Sequence, residues 1–436
     1  MTMRPPSDNP FPRAIVHFDG DSFFASVEQT MNQALRGKVV ITGGERGAPT
    51  SVSLEGKKLG LGRGMSMQQI RERCPEAVIV PSDYTAYSIY AHRMYRIARR
   101  FTPKVEEYSI DECFADITGL EEHYHASYAE IAMMIKRALE TELGLTFGVG
   151  LAPNKVTAKA ASKHRKPAGF TVISVQELPA FLRDLPIGKI WGIGTASSIE
   201  LSKLGIRTAL DLALKDDAWL AAHSVAKPYR EICYELQGHF IRELNLEPDC
   251  EIGSIIKSRT FSPPSSRREF IFSQLSKNIE NACIKARRHG VHAREVSFYL
   301  KTQQFTYHGL AVPLSFPTAS PSDLIRLASD MFDKMYRPNV LYRATGVSLR
   351  ALIPVDESPL DLFGQSAVNE RSSQVLEAVD ALDHRYGANT VFLASSMKAF
   401  AFKERKRRDH TVRGRLSLPS DISKKTIDIP FLGLAH

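Results

Sequence analysis

The sequence predicts a multidomain protein that joins an α/β region to an α+β region. Its 436 residues allow two to four domains, since a domain usually holds about 100–200 residues. Short apolar runs alternate with amphipathic helical stretches between residues 14 and 175, which is typical of an α/β domain with a mixed sheet. The pattern changes at Leu185-Pro186 to small helical units, and after Pro248 to strands around a basic helix.

The elements of the first region are predicted from the spacing of its apolar residues. Strands are expected where apolar residues run continuously, and helices where they recur every three or four positions, as at 87, 90, 94, 97 and 101. The predicted elements, in chain order, are a strand at Ala14–Phe18, a helix at Ser22–Met31, a strand at Lys38–Thr42, a helix at Tyr84–Phe101, a strand-like segment with a polar break at Val105–Thr118, a helix at Tyr128–Leu143, and strands at Leu145–Leu151 and Phe170–Val175.

After Leu185-Pro186 the sequence contains few strand signals, and after Pro248 strands and helices are predicted to alternate again. Small helical units are predicted around Gly192-Ile193-Gly194 and over Ala209–Ala222. The α+β unit and the segments after it are predicted as a strand at Ile252–Phe261, a helix at Phe272–Arg288, strands at Glu295–Thr302 and Tyr342–Leu352, a polar linker at Glu357–Val368, a helix at Ser373–Tyr386 and a basic tail at Lys403–Arg415.

Composition excludes several classes of protein. A content of 43% hydrophobic and 24% charged residues is ordinary for a globular chain and argues against wholesale disorder. No run approaches the roughly 20 apolar residues of a membrane span, and the first residues lack the apolar core of a signal peptide. We therefore expect no membrane partner and a cytoplasmic location. Five scattered cysteines without a CxxC pair indicate a reducing compartment rather than a disulfide framework or a zinc site.

The net charge of +9 is unevenly distributed. Residues Glu251–Val355 hold 15 Lys or Arg and 7 Asp or Glu, so this stretch alone carries +8. A surface charged in this way favours a polyanion, and nucleic acid is the usual one. A basic surface that is merely solvated explains the same count. The charge therefore suggests nucleic-acid binding but does not decide between the two interpretations.

Three acidic residues in two places are the most informative feature. Asp19 closes an apolar strand and Asp111-Glu112 interrupts another, which is costly unless cations or hydrogen bonds compensate the carboxylates. Successive strand side chains point to opposite faces, so Asp111 and Glu112 share a site only at a turn or a distortion. Carboxylates from adjacent strands suit Mg²⁺ or Mn²⁺, and two such ions support in-line phosphoryl transfer. The alternative is that each acid simply caps the end of a strand.

Two segments resemble the palm motifs of Y-family, translesion DNA polymerases. They are HFDGDSFFASVEQ (His17–Gln29) and EEYSIDECFADITG (Glu106–Gly119). The resemblance extends over roughly residues 12 to 355 and continues through Gly148–Phe170, Leu185–Gly194, Gly205–Leu212 and SRTF at Ser258–Phe261.

This resemblance implies a right-hand polymerase with an additional little-finger domain. The palm would be formed by residues 12–31 and 82–178, the fingers by 32–81, the thumb with its helix-hairpin-helix by 179–247, and the little finger by 251–355, followed by a linker and basic tail over 356–436. Asp19, Asp111 and Glu112 match the catalytic carboxylates that hold two Mg²⁺ ions, and Gly20 matches a position whose carbonyl helps to hold one of them.

The resemblance also implies a set of nucleotide-binding residues. Phe24 matches the steric gate that excludes a ribose 2′-hydroxyl; the alternative is ordinary helix packing of Phe23 and Phe24, and the neighbouring Asp19 favours the gate. The amides of Phe23 and Phe24, at a helix start, are expected to contact phosphate oxygens. Lys166 matches a triphosphate-binding lysine, the alternative being a surface lysine in a basic run.

The fingers depart from the family pattern. The usual Tyr-Glu-Ala-Arg is Leu54-Glu55-Gly56-Lys57 here, so one hydroxyl donor and one guanidinium fork are absent. We expect weaker binding of a deoxynucleoside triphosphate (dNTP) than in relatives that carry the usual pair. Ser51 and Lys58 are the candidates for compensation.

The candidate DNA-holding residues lie in the thumb, the little finger and the linker. Gly192 and Gly194 resemble the hairpin of a helix-hairpin-helix unit, although a simple turn explains a lone GxG, and Lys257 and Arg259 are expected to face the template backbone. Leu360–Phe363 resemble a sliding-clamp peptide without its leading Gln, and a chance linker sequence is the alternative. The tail beyond Val368 distantly resembles polymerase V catalytic subunits, and its basic cluster either binds DNA or keeps the chain soluble.

The function implied is template-directed DNA synthesis on damaged DNA without proofreading. The partners would be a DNA template-primer and a dNTP, and we expect a nucleoid-associated monomer. One rival interpretation is a catalytically silent relative that serves as a DNA-binding scaffold in a mutagenesis complex. A palm-fold cyclase or nuclease is a third, but it leaves the helix-hairpin-helix unit and the little finger unexplained.

Overall fold

The computed structural model describes residues 8–44, 47–223, 225–247, 252–357, 365–387 and 389–400, with side chains of the last long helix described from residue 374. These residues form two compact units, one ending at residue 247 and the other beginning at residue 252. The first unit combines mixed sheets with helices, and the second packs helices on an antiparallel sheet. The predicted α/β and α+β fold class is therefore confirmed.

The first unit alternates strands and helices and ends in a group of helices. Its elements, in chain order, are β1 (Ile15–Gly20), α1 (Phe23–Met31), β2 (Val40–Gly43), β3 (Pro49–Val52), α2 (Leu54–Lys58), α3 (Met67–Arg73), β4 (Val78–Val80), α4 (Tyr84–Arg99), β5 (Val105–Ser109), β6 (Glu112–Asp116), α5 (Glu121–Tyr124), α6 (Tyr128–Leu143), β7 (Phe147–Ala152), α7 (Lys155–His164), β8 (Phe170–Val172), α8 (Leu178–Arg183), α9 (Thr195–Lys203), α10 (Ala209–Ala213), α11 (Asp217–Ala222) and α12 (Lys227–Leu236).

A five-stranded sheet in the order β5-β6-β1-β7-β8 forms the centre of this unit. β1 pairs antiparallel with both β6 and β7, while β7 and β8 run parallel. Val16 and Phe18 on one face join a core with Tyr87 and Met94 of α4 and Leu139 of α6. The opposite face is in contact with α7, which packs on both β7 and β1.

Two glycines of β7 allow α7 to approach the sheet closely. A Cβ at Gly150 would lie 2.2 Å from the carbonyl oxygen of Ala158, and one at Gly148 would lie 2.5 Å from that of Ser162. Such separations do not occur between real side-chain and backbone atoms, so these positions require glycine. The sequence GVGLA therefore places α7 directly against β7, the neighbour of the strand β1 that carries Asp19.

Two smaller assemblies complete the first unit. Residues 40–80 contain a three-stranded sheet in the order β3-β2-β4, with a core that includes Ile41, Val52 and Ile70. The helices from α8 to α12 bury their own apolar residues, among them Leu182, Ile206, Leu212 and Leu236.

The second unit is a four-stranded sheet covered by helices. Its elements, in chain order, are β9 (Ser254–Ser265), α13 (Arg268–Arg288), β10 (Val291–Thr302), β11 (Tyr307–Thr318), α14 (Pro321–Met335), β12 (Tyr342–Pro354) and α15 (Gln365–Tyr386). The strands are all antiparallel, in the order β11-β10-β12-β9. Phe298 and Val347 of the sheet pack with Leu275 of α13 and Phe332 of α14.

Part of the predicted linker and tail belongs to this second unit. Arg287 of α13 donates two hydrogen bonds to the Asp380 carboxylate of α15, at 2.7 and 2.8 Å. The buried Glu280 side chain accepts from the Leu393 amide at 2.9 Å and from the Ser396 hydroxyl. Residues 374–400 therefore pack on α13, held by polar contacts that apolar periodicity does not predict.

Candidate active site

The structure brings the three predicted carboxylate positions to one end of two adjacent strands. Asp19 on β1 is paired in register with Glu112, the first residue of β6. Asp111 lies in the turn between β5 and β6, and its carbonyl accepts the Gly20 amide at 2.9 Å. Successive side chains of a regular strand point to opposite faces, so Asp111 and Glu112 can share a site only at a turn or a distortion, and the structure has a turn here. The Asp111 side chain accepts a hydrogen bond from Ser109 Oγ at 2.8 Å.

Three lysines neutralise the buried pair of carboxylates. Lys159 Nζ donates to Glu112 Oε2 at 2.6 Å, and Lys163 Nζ lies 3.5 Å from Glu112 Oε1. Lys166 donates to Asp19 Oδ1, and Lys163 lies 3.9 Å from Asp19 Oδ2. Because Asp19 and Glu112 are 5% and 9% exposed, these ammonium groups provide charge that solvent cannot.

The two opposed carboxyls titrate differently. Burial raises the pKa of Asp19 to about 6, and the adjacent Glu112 reinforces the shift while Lys166 opposes it. Burial acts in the same direction on Glu112, but the charge of His17, together with the hydrogen bond and charge of Lys159, outweighs it and lowers the pKa of Glu112 to about 2. Burial of Asp19 therefore outweighs the stabilising contact with Lys166.

This donor set fits a divalent cation. Asp19 and Glu112 are close enough to hydrogen bond to each other, and they offer only oxygen ligands, which Mg²⁺ and Mn²⁺ prefer. A cation between them would relieve the repulsion that raises the pKa of Asp19. No cluster of three acidic, histidine or cysteine side chains is already arranged around one point among the described residues, and the Asp111 side chain is held by Ser109.

The segment that carries Lys166 is held by a fourth carboxylate. Asp21 is buried, and its Oδ2 accepts from the Ala168 amide at 2.7 Å and from Thr146 Oγ1 at 3.0 Å. Its Oδ1 lies 3.4 Å from Lys166 Nζ. Asp21 thus fixes the backbone on one side of Lys166 and provides part of the negative charge around its ammonium.

The predicted gate Phe24 lies in a cluster of aromatic rings. It stacks on Tyr87 with centroids 4.2 Å apart and planes 10° apart, and it meets Tyr84 edge to face at 5.6 Å. Tyr87 is in turn fixed by a 2.9 Å hydrogen bond from its hydroxyl to Glu28 Oε1. The Phe24 ring is only partly buried, so it combines a fixed orientation with an accessible edge.

The start of α1 has unsatisfied polar groups beside this site. Ser22 has a left-handed backbone, with φ of 49°, and its hydroxyl is buried without a hydrogen-bond partner within the described part of the chain. Phe23 is in the core against Gly20, where a Cβ would lie 2.7 Å from Phe23 Cδ2. The Ser51 hydroxyl donates to the Ser22 carbonyl at 3.2 Å. This region suits a ligand that accepts hydrogen bonds.

Helix α2 places Lys57 within electrostatic range of the same site. Burial and the charge of Lys166 lower the pKa of Lys57, whereas the Asp21 carboxylate opposes the shift. Leu54, in place of the family's tyrosine, is the first residue of this five-residue helix. Three of the predicted nucleotide-binding residues, Ser51, Lys57 and Lys166, thus lie around the acids and the start of α1.

The predicted hairpin precedes α9. Gly192 has a φ of 94°, and a Cβ there would lie 2.9 Å from Ile232 Cδ1. Gly194 is exposed and immediately precedes the nine-residue α9, where the N-cap offers no side chain. Exposed amides at a helix start can bind a phosphate without reading sequence.

Lys257 and Arg259 lie on β9 of the second unit. Lys257 is paired with Val347 and Arg259 with Thr345, both buried residues of β12. Directly opposed residues share one face, so both cations extend on the side of the sheet that α13 covers. Their role toward DNA stays a prediction.

Two sequence predictions fall outside the described residues. They are the clamp-like peptide Leu360–Phe363 and the basic cluster Lys403–Arg415. Over the part of the chain that is described, no helix is long and apolar enough to cross a membrane.

Sequence reasoning missed several residues that the fold places at the site. Lys155, Lys159 and Lys163 recur every four positions along α7, a spacing that puts them on one helix face and was available as a signal. Asp21 follows Asp19 by two residues, so strand alternation places it beside the same acids. Trp191 had no recognisable signal, because its contacts lie on β5, β6 and α7, far away in the sequence.

Sequence comparisons agree with this architecture. Residues 18–163 match the impB/mucB/samB family, residues 253–362 match the C-terminal domain of that family, and residues 175–206 match its helix-hairpin-helix motif. A DNA polymerase IV of Caulobacter vibrioides is 30% identical over 386 residues, covering 88% of this chain and 94% of the relative. That of Desulfatibacillum aliphaticivorans is 32% identical over 383 residues, covering 86% and 95%.

A solved structure shares the fold. A Y-family DNA polymerase chimera superposes with a TM-score of 0.65 at 24% identity, covering 78% of this chain and 99% of the chimera. The right-hand architecture with a little finger, expected from the motifs, is therefore confirmed at the level of fold. From the extent of its similarity to the DNA polymerase IV proteins, this chain belongs to the Y family of DNA polymerases.

Proposed function

We propose that this Y-family DNA polymerase adds a deoxynucleotide to a primer 3′-hydroxyl at Asp19, Asp111 and Glu112, and that it does so opposite damaged template bases. The single observation that carries the proposal is the opposition of Asp19 and Glu112 on adjacent strands, with the pKa of Asp19 raised to about 6. Two buried carboxylates that face each other are unfavourable without neighbouring cations; Lys159, Lys163 and Lys166 provide part of this charge, and a divalent ion would complete it.

The metal requirement follows from the donor set. Two Mg²⁺ ions, or Mn²⁺, would be held by Asp19, Asp111, Glu112 and the Gly20 carbonyl, and when bound they would polarise the triphosphate and acidify the primer hydroxyl. In the reaction, the primer oxygen forms a bond to the α-phosphorus and the bond to the pyrophosphate oxygen breaks. Asp19, Asp111 and Glu112 would act by holding the metal ions, and no side chain becomes covalently attached to the substrate.

The cations around the acids would bind the triphosphate. Lys166 contacts Asp19 directly and lies within reach of Asp21, so an anionic triphosphate would draw its ammonium away from these carboxylates. Lys57 would add charge from α2, and the Ser22 hydroxyl with the amides of Phe23 and Phe24 would donate to phosphate oxygens. Phe24, fixed by Tyr87, would exclude a 2′-hydroxyl.

The remaining elements would hold DNA. We assign residues 12–31 and 82–178 to the palm, 32–81 to the fingers, 179–247 to the thumb and 251–355 to the little finger. Gly192 and Gly194 would contact a phosphate, and the basic little finger would follow the duplex backbone. The chain would work as a monomer in the cytoplasm at the nucleoid. The buried, unpaired Cys74, Cys113, Cys233 and Cys283 support a reducing setting.

Primer extension tests the proposal. The wild-type protein should extend a primer–template with dNTPs and Mg²⁺ and stop when the metal is chelated. Asp19→Ala and Asp111→Ala should each abolish extension, while Glu122→Ala, which removes an exposed carboxylate of α5, should leave it unchanged. Wild-type protein that binds DNA but does not extend it would instead support the silent scaffold, which the match to DNA polymerase IV relatives does not favour.

A further inference from the structure

Trp191 connects the candidate DNA hairpin to the candidate metal site. It immediately precedes Gly192, yet its ring packs on the sheet that carries the acids. It meets Tyr108 of β5 edge to face at 5.2 Å and Phe114 of β6 at 5.8 Å. Phe114 is two residues after Glu112 and therefore lies on the same face of β6.

Lys159 is the side chain that joins this ring to a catalytic acid. Its ammonium donates to Glu112 Oε2 at 2.6 Å, lies 4.0 Å from the centre of the Tyr108 ring and lies 5.2 Å from that of Trp191. Lys159 is 6% exposed, so water contributes little to its solvation. The rings and the carboxylate therefore determine where the ammonium lies.

The surroundings of Trp191 provide an internal comparison. Lys155, one turn earlier on α7, also places its ammonium near the indole, at 5.6 Å. It pairs with Glu106 at 2.6 Å rather than with a site carboxylate. The two lysines therefore share the ring and the helix but differ in the acid they hold.

We propose that Lys159 and Trp191 form a positioning element that orients the Glu112 carboxylate for a divalent ion. The inference rests on the proposed function, since it takes Glu112 as a metal ligand. Lys159 fixes one Glu112 oxygen by direct contact, and Trp191 limits the positions of the lysine. A change in the Glu112 carboxylate on metal binding then alters the charge next to the indole.

Tryptophan fluorescence tests this without relying on activity. The chain contains two tryptophans, so Trp219→Phe leaves Trp191 as the sole emitter. Titration of this variant with Mg²⁺ alone should change its emission with a saturable dependence. Lys159→Met should abolish the change and weaken metal binding about 10-fold or more, the range seen for outer-shell partners of metal ligands. Lys159→Arg should restore part of the signal.

Lys155→Met is the matched control, and it should retain both the fluorescence change and the metal affinity. Trp191→Phe, which keeps a ring in place, should fold and bind Mg²⁺ more weakly, as measured by calorimetry. A Trp191 emission that does not respond to Mg²⁺, or Lys159→Met and Lys155→Met variants with equal metal affinity, would overturn the inference. Primer extension by the wild type separates the two failures, because extension would persist if only this inference were wrong.

Discussion

The candidate active site of the first unit and the surroundings of Lys257 in the second unit hold their positive charge in opposite ways. Around β1 and β6 the cations are adjacent to acids, as Lys159 is to Glu112 and Lys166 to Asp19. On β9 the half-buried Lys257 lies among other cations, and burial together with the charges of Lys285 and Arg288 lowers its pKa. The candidate active site thus holds its charges in pairs, whereas Lys257, Lys285 and Arg288 repel one another, a repulsion that a polyanion would relieve.

The largest effect should come from changing the paired site itself. Glu112→Gln keeps the size of the side chain but removes a carboxylate, so the ions and Lys159 lose their common partner. We expect kcat for nucleotide addition to fall about 10³-fold or more, measured in single-turnover primer extension. The exposed Glu121→Gln is the control. A fall of less than tenfold would mean that Glu112 is not a ligand.

The second effect concerns the cation that pairs with Asp19. Lys166→Ala should lower kcat/KM for the dNTP about 100-fold, the usual cost of one group that stabilises developing charge. Lys166→Arg should recover part of this, because the charge remains. Equal loss in both variants would indicate that shape, and not charge, is what position 166 contributes.

The third test uses Glu235, a buried carboxyl of which one oxygen, Oε2, has no hydrogen-bond partner within the described part of the chain. Burial raises the pKa of Glu235 on α12 to about 7, and Arg242 opposes the shift. The folded state therefore binds the Glu235 proton more tightly than the unfolded state does. The contribution of this proton to the free energy of unfolding is present at low pH and is lost as the pH rises through about 7. Glu235→Gln should raise the free energy of unfolding at pH 8.5 by up to about 3 kcal/mol and flatten its pH dependence between the unfolded pKa of 4.5 and the folded pKa of about 7.

Denaturant unfolding at several pH values measures this difference. The change should be absent at pH 4, where the carboxyl is protonated in both states. A variant that is less stable than the wild type at pH 8.5 would show that the Arg242 contact outweighs burial.

The fourth test restores the family pattern in the fingers. Leu54→Tyr with Lys57→Arg should lower the KM for dNTP about 5–30-fold, because a hydroxyl donor and a bidentate guanidinium are regained, about 1–2 kcal/mol together. Steady-state extension measures this, and Leu59→Tyr, at the C-cap of the same helix, controls for an added ring. An unchanged KM would mean that Ser51 or Lys58 already compensates.

The smallest effects should come from the basic unit. Lys257→Ala and Arg259→Ala should each weaken DNA binding only a few-fold and reduce the salt dependence, with the slope of log K against log salt falling by about 0.9 per phosphate contact. Fluorescence anisotropy between low and moderate salt measures the slope. Because both residues lie on the face that α13 covers, an unchanged slope would place the DNA contacts elsewhere on this unit.

The two units differ in how much of their structure could be predicted from the sequence, and the reasons are physical. The acids of the first unit were predictable because strand alternation allows Asp111 and Glu112 one arrangement, the turn that is observed. β11 was missed because Pro313 and Pro317 argue against a strand, yet β11 is an edge strand, where an amide can stay unpaired. Helix α14 was also missed, although the sequence contains two signals for its start, Ser320 at the N-cap and Pro321 directly after it.

Contacts between distant residues were beyond sequence reasoning. The packing of residues 374–400 on α13 depends on single hydrogen bonds such as that from the Leu393 amide to Glu280, over 113 positions. Asp21 and Lys159 likewise become part of the site only when β7 and α7 fold onto β1. Periodicity reports which face of an element is apolar, but it does not report which polar partner that face meets.

The most direct test of the central claim is a count of bound metal ions. Mn²⁺ binding to the polymerase with template-primer and a nonhydrolysable dNTP analogue can be followed by electron paramagnetic resonance. The wild type should bind two ions, and Asp19→Asn should lose at least one while still binding DNA. Equal Mn²⁺ binding by the wild type and Asp19→Asn would contradict the assignment of the buried carboxylate pair as the catalytic metal site.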